Sequence, residues 1–362
     1  MNSDRRAFIK RAAAVAALGA GASPVAAQST RAAMPTPRAT AFMTAFGLKY
    51  PIVCAGMGGS ASFELAIAVS NAGGFGAIGT GTSMAAEVVR DRVTRVRTGT
   101  KNVFAINYLL AFDPVTLPVA LDAGVPVVQF AWGIPRAEAV SAVRGAKAKM
   151  GIQISNVDGA RRALDLGSDY LICQGTEAGG HVQALSPLYD TLLAVLAEAK
   201  DVPVLAAGGI ANGAHIRRAL MAGASAAVLG TRFVATREAL GHDEYKTALT
   251  RAKDTDTVLT ICFQDGWSNA PHRVLRNKTI DMWEAAGCPP PGNRPGEGDV
   301  LTTNVVTGAP KRRYSIGGPV ATDRGAIEEL PHWAGMGVNA IRDIPSASDL
   351  VPRLWRECLD AT

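Results

Sequence analysis

The sequence predicts a (β/α)8 TIM barrel with an appended, mostly helical C-terminal cap segment. Three observations predict it. Eight short, near-continuous apolar runs rich in Val, Ile and Ala recur from residue 51 onward, segments of helical spacing alternate with them, and glycine-rich polar turns follow their C-terminal ends. Near-continuous apolar runs suit strands buried on both faces of a parallel sheet. Alternation with helices over about 200 residues fits a closed barrel better than an open sheet.

The runs are Pro51–Met57, Phe75–Gly81, Val103–Leu110, Val125–Gly133, Met150–Ser155, Tyr170–Gly175, Pro203–Gly209 and Ala226–Phe233. Helical spacing begins at Ser62, Ser83, Pro135, Asn156, Pro187, Asn212 and Thr236. Side-chain oxygens at a helix start satisfy its free N–H groups, and Pro is tolerated in the first turn. The barrel is placed at residues 46–250. After residue 251 the pattern breaks: Cys288–Gly298 reads CPPPGNRPGEG, which no helix or strand interior accommodates. Helical pieces are expected near Ala270–Ala285, Asp323–Trp333 and Ala347–Cys358, so residues 251–362 read as a cap packed over the barrel mouth.

Composition narrows the function classes. With 362 residues and 48% hydrophobic content, the chain can bury one large core or a barrel plus an appendage. The formal net charge is +6; a net +3 of it sits in residues 1–27, and the rest is spread without a long basic run. That argues against a nucleic-acid or membrane-surface partner. Cys54, Cys173, Cys262, Cys288 and Cys358 show no CxxC pair and no metal-like spacing with histidine. Cys54 and Cys173 fall inside predicted strands, where a buried thiol acts as a small apolar side chain. No metal is expected.

The N-terminus reads as a targeting segment. Asp4-Arg5-Arg6-Ala7-Phe8-Ile9-Lys10-Arg11 precedes an Ala/Gly-rich apolar stretch and a small-residue end, Val25-Ala26-Ala27. This is the charged, apolar, small-residue order of a secretory signal. Its paired arginines resemble a twin-arginine signal, which implies the twin-arginine export machinery as a partner and the bacterial periplasm as the destination. Residues 28–45 read as a flexible leader.

Chemistry in such a barrel sits at the C-terminal strand ends. The first run ends in Ala55-Gly56-Met57, where glycine lets a backbone approach a flat ring. Asn107 at the third tip, and Gln153 and Gln174 at the fifth and sixth, offer amides. The sixth continues Gly175-Thr176-Glu177-Ala178-Gly179-Gly180-His181, a polar Gly-rich loop delivering one imidazole, the natural general base near neutral pH. Gly208-Gly209 and Gly230-Thr231 end the seventh and eighth runs, the usual phosphate site of such barrels. No GxGxxG follows the first run, against a Rossmann dinucleotide domain. His215 and His242 fall on predicted helices and read as surface residues; His272 and His332 fall in the appended region, where they either line the mouth or, as the favoured reading, are solvated, and Lys311-Arg312-Arg313 reads as a solvated turn.

Together these residues resemble the nitronate monooxygenase family, once called 2-nitropropane dioxygenases. The resemblance runs from about Phe46 to Val351 and rests chiefly on Gln174–His181, with Pro51–Gly59, Ser70–Gly76, Ala206–Ile210, Gly230–Phe233, Tyr245-Lys246 and Ala334–Val338 in support. It implies FMN at the barrel mouth and oxidation of alkyl nitronates, or of nitroalkanes, by O2 to nitrite and a carbonyl compound. By position, Ala55, Gly56 and Met57 would line the flavin ring. Asn107 and Gln153 would hydrogen-bond it, and Gln174 would lie near the ribityl chain or ring edge. Gly179, Gly180, Gly208, Gly209, Gly230 and Thr231 would hold ribityl and phosphate, and His181 would be the base or orienting group. Two departures bear on pocket shape: Gln183 stands where the family often has Gly, and Cys54-Ala55-Gly56-Met57 where Ala-Pro-Met is common. The same contacts would serve an NAD(P)H-dependent FMN reductase of quinones or enoyl thioesters, and a non-enzymatic exported flavin- or small-ligand-binding protein is the third reading.

Overall fold

The computed structural model describes residues 34–81 and 84–362. The signal segment, the start of the leader and Ser83 lie outside the described residues. The described residues form one compact unit.

Eight parallel strands build the barrel: β1 (Ile52–Cys54), β2 (Gly76–Gly79), β3 (Phe104–Leu109), β4 (Val127–Ala131), β5 (Lys149–Ile154), β6 (Tyr170–Gln174), β8 (Val204–Ala207) and β9 (Ala226–Leu229). The intervening β7 (Gly180–His181) belongs to another sheet. All eight barrel strands fall on the predicted runs, β5 starting one residue early. The ring closes at Val53 and Phe75, where the Phe75 N–H donates to Ile52 O at 2.9 Å and the Cys54 N–H to Phe75 O at 2.9 Å. Successive residues of a strand join different cores. Val53, Ala105, Val127 and Leu205 pack inside the barrel, while Ile52, Ile106, Val128 and Val204 pack outward under the helices. That is the period-two alternation of a strand buried on both faces.

The helical ring follows the sequence signals. Ser62, Asn156 and Asn212 cap their helices, accepting from the N–H of Leu65 (2.9 Å), Gly159 (2.7 Å) and His215 (2.8 Å). One ring helix, Leu117–Asp122, is not among the segments expected from sequence; it is only six residues long, with Pro118 in its first turn.

Three expectations are corrected. First, from Pro37 onward the leader is a helix, α1 (Pro37–Phe46), whose Phe42 and Phe46 are buried against Phe75 and Tyr170. Phe75 precedes β2 and Tyr170 opens β6, so α1 plugs the N-terminal end of the barrel. The Tyr170 hydroxyl accepts from Gln129 Nε2 at 2.9 Å.

Second, the eighth barrel helix is not residues 237–250. After β9 the chain makes a four-residue helical turn, Thr231–Val234, and enters the cap, where Asp243–Arg251 packs its Tyr245 and Leu249 on Leu275, Ala334 and Val338. The place between Phe63–Asn71 and Gly213–Met221 is taken by Ala347–Asp360, which adds Leu350, Val351, Leu354 and Cys358 to the outer core. A Cβ at Gly213 would lie 2.3 Å from the Cys358 nitrogen. The cap is therefore an insertion between the last strand and the last helix.

Third, the cap is mixed rather than mostly helical. β10 (Thr257–Thr260) and β11 (His272–Leu275) form an antiparallel sheet with β7; β12 (Val300–Asn304) lies between β13 (Pro310–Arg312) and β14 (Asp323–Gly325). Cross-strand pairing overrides the short helical patterns at 270–285 and 323–333, leaving a helix only at Lys278–Ala285 and a 3-10 turn at Ile327–Glu329. Lys311-Arg312-Arg313 is not a solvated turn either. Arg313 is buried against Glu329 and Thr279, and Lys311 binds Asp323.

Candidate active site

The strand tips open into two confluent cavities at the C-terminal end of the barrel. The larger is lined by Ala55, Gly56, Met57, Asn107, Gln153, Gln174, Gly179, Gly180, His181, Gly230 and Thr231 among others; the smaller adds Gly208, Gly209, Gly335 and Gly337. Every residue assigned a site role from sequence thus lies on one continuous space.

Backbone economy makes that space. A Cβ at Gly56 would fall 2.3 Å from the Asn107 Cβ, so only glycine lets Asn107 approach; its Nδ2 donates to Gly56 O at 3.4 Å. At the narrow end the Gly208 and Gly209 N–H groups donate to no protein acceptor among the described residues, and Thr231 opens a helical turn. Free N–H groups converging on a glycine-lined recess suit a phosphate. The cap seals this recess: the Gly335 N–H donates to Thr231 Oγ1 at 3.0 Å, and a Cβ at Gly337 would meet Gly209 O at 2.3 Å. The residues therefore fit an elongated phosphomonoester carrying a flat ring, as FMN does.

Three glutamines lock the loop after β6. The Gln183 N–H donates to Gln174 Oε1 (2.9 Å) and Gln174 Nε2 to His181 O (3.2 Å). Gln183 Oε1 accepts from both the Trp132 N–H (2.8 Å) and Gln153 Nε2 (3.1 Å). The loop is further held by Arg273, whose Nε and Nη2 donate to Thr176 O at 3.1 and 2.9 Å.

His181 lies in β7, opposite His272 of β11, so the cap sheet fixes the imidazole above the mouth. Trp267 stacks on it at 4.3 Å, Trp333 approaches to 5.3 Å and His272 to 5.4 Å. Its Nε2 is buried with no hydrogen-bond partner among the described residues. Burial, and secondarily His272, push its pKa down to about 3, so the ring is neutral near pH 7. The Phe263 N–H donates to His272 Nε2 at 3.2 Å, leaving the His272 proton on Nδ1, 2.9 Å from Ala270 O. Burial holds His272 at about 4, against the Ala270 hydrogen bond.

Two of the remaining histidines correct the solvated reading. His272 and His332 are buried, the latter stacked on Tyr245 at 4.8 Å. The half-buried His215 accepts the Ala211 N–H at 3.3 Å, bracing the turn after β8. His242 caps Asp243–Arg251 by accepting from the Glu244 N–H. Tyr245 holds Trp333 in place, its hydroxyl donating to Trp333 O at 2.5 Å. Cys54 and Cys173 are fully buried, and burial pushes both thiols up to about 12.

Sequence reasoning missed the aromatic wall of Trp132, Trp267 and Trp333. Trp132 was findable, since it stands at the fourth strand tip. Trp267 and Trp333 reach the mouth through cap segments with no strand-tip signal.

Comparison with known proteins agrees with this geometry. A family model described as nitronate monooxygenase matches residues 40–116 and 112–357. A nitronate monooxygenase of Pseudomonas aeruginosa is 30% identical over 84% of this chain and 95% of its own length. Among solved structures, a nitroalkane oxidase from Streptomyces ansochromogenes is 29% identical with a TM-score of 0.71, covering 88% of this chain and 98% of its own. FabK from Thermotoga maritima is 26% identical with a TM-score of 0.73, covering 88% and 96%.

Proposed function

We propose, from the premise that this chain belongs to the nitronate monooxygenase family of FMN-dependent oxidoreductases, that it oxidises preformed nitronates with O2 to nitrite and a carbonyl compound. The observation that supports nitronate over neutral nitroalkane is the packing of Trp267 and Trp333 on His181, whose burial keeps the imidazole neutral and lowers its pKa to about 3. So weak a base removes a carbon-bound proton poorly. Its unpartnered Nε2 is suited instead to meet a nitronate oxygen.

In this reading Ala55, Gly56 and Met57 would line the flavin ring, Asn107 and Gln153 would hydrogen-bond it, and Gln174 would lie near the ribityl chain or ring edge. Gly179, Gly180, Gly208, Gly209, Gly230 and Thr231 hold ribityl and phosphate. FMN, when bound, supplies the electron acceptor that links nitronate to O2. The protein orients the nitronate carbon, excludes water with the tryptophan wall and offers His181 to the developing charge.

The test is anaerobic mixing of the yellow protein with a nitronate and, in parallel, with NADH. Bleaching by the nitronate, then nitrite release with O2 uptake in air, is expected. Bleaching by NADH alone would replace this reading with the reductase one. We also propose export by the twin-arginine route, which Arg5-Arg6 supports; replacing both by Lys is expected to retain the protein in the cytoplasm on fractionation.

A further inference from the structure

The described residues lining the larger cavity include no Asp, Glu, Lys or Arg. Nearby cations are engaged elsewhere: Arg273 donates to Thr176 O, and Lys311 to Asp323 and Gly318 O. A second charge on the substrate would thus lose its water and find no counter-ion. What the pocket offers is π surface. Trp132 meets Trp267 at 4.6 Å, and Trp267 and Trp333 both face His181. No indole N–H of the three is engaged by a protein acceptor among the described residues.

Trp132 sits at φ +61°, in the left-handed region that bulky residues rarely adopt. Its N–H is held by Gln183 Oε1, which the Gln153 amide holds in turn.

We propose that this pocket selects an aryl or otherwise conjugated nitronate whose only charge is the nitronate group, with Gln183 as the positioning residue that sets the preference by fixing Trp132. A flat conjugated body lies against the tryptophan faces, gaining stacking beyond its burial. A carboxylate-bearing nitronate of similar length gains nothing comparable. The inference rests on the proposed nitronate oxidation.

The test uses FMN-loaded enzyme and the nitronates of phenylnitromethane, nitroethane and 3-nitropropionate. We expect kcat/KM for the aryl substrate to exceed that for ethylnitronate at least 10-fold and the carboxylated one at least 100-fold. Equal or better use of the carboxylated nitronate overturns the proposal. In Gln183→Gly the aryl-to-ethyl ratio falls at least 5-fold, through KM for the aryl substrate more than through kcat; an unchanged ratio overturns the role of Gln183. The wild-type series stands by itself if that variant does not fold. Should no nitronate yield nitrite, the proposed function has failed and the pocket is read separately from the flavin visible spectrum. Nitrobenzene is then expected to perturb it at lower concentration than 3-nitropropionate, and the reverse order overturns the inference.

Discussion

The imidazole of His181 lies nearly face to face with the indole of Trp267, centroids 4.3 Å apart and planes 20° from parallel. One ring sits on the segment that follows barrel strand β6; the other comes from the inserted cap. The cap therefore completes the site: it holds His181 by the β7–β11 ladder and strips its water with tryptophan.

Trp267→Ala should rehydrate His181 and raise its pKa toward the ordinary histidine value. In the wild type, kcat/KM for a preformed nitronate should show no imidazole limb between pH 6 and 9. In the variant a limb should emerge near pH 6, with kcat/KM lower by about 2- to 12-fold, the worth of an aromatic pair. A wild-type inflection near pH 6.5 would mean that His181 is not desolvated.

Stability should fall in acid. Burial lowers the pKa of His272 and His332 to about 4 and of His181 to about 3. Each ring stays neutral in the fold but protonates in the unfolded chain below about 6.5. Their stabilisation is complete above that value and is lost as pH drops toward 4. Urea denaturation at pH 7 and 4.5 should differ by at least about 3 kcal/mol. Equal midpoints with equal slopes would contradict the buried, neutral assignment.

Gly56→Ala should expel Asn107 from the mouth, because the new methyl would lie 2.3 Å from the Asn107 Cβ. FMN affinity, followed by flavin release on dilution, should drop at least about 10-fold, the loss of about 1.4 kcal/mol. Gly180→Ala meets no atom within 4 Å and bears only the strain of φ +72°, about 1–2 kcal/mol of stability. If Gly56→Ala binds FMN normally, the close Gly56–Asn107 approach is not what shapes the flavin site.

Ending the chain at Ser346 should abolish folding. It removes the last barrel helix and with it Leu350, Val351, Leu354 and Cys358 from the core. At about 1.5–3 kcal/mol per buried aliphatic side chain, the loss rivals the whole stability of a domain. Far-UV circular dichroism of the truncated chain reads the outcome; a native-like spectrum with a cooperative melt would show that the helix is dispensable.

The barrel was legible because its signals are local. Each strand is an apolar run such as Tyr170–Gln174, and Ser62, Asn156 and Asn212 announce their helices through their own side-chain chemistry. The strand-tip residues were legible for the same reason, since a tip follows directly from its strand. The cap was not. His272 and Arg273 pair with Gly180 and His181 across some 90 residues of chain, and no local pattern records a partner so distant.

Sequence alone determined that eight strands and most of the helices between them form, and that Gly56, Asn107, Gln174, His181, Gly208 and Gly230 gather at one end. Strand direction and connection handedness force those tips together once the barrel closes. Only the tertiary structure decided that Ala347–Asp360 closes the helical ring, that α1 plugs the floor, and that Trp132, Trp267 and Trp333 surround His181. Those choices depend on which surfaces bury one another, and burial is a property of the packed chain rather than of any segment. The resulting loss of water is also what turns an ordinary histidine into a neutral group within an uncharged pocket.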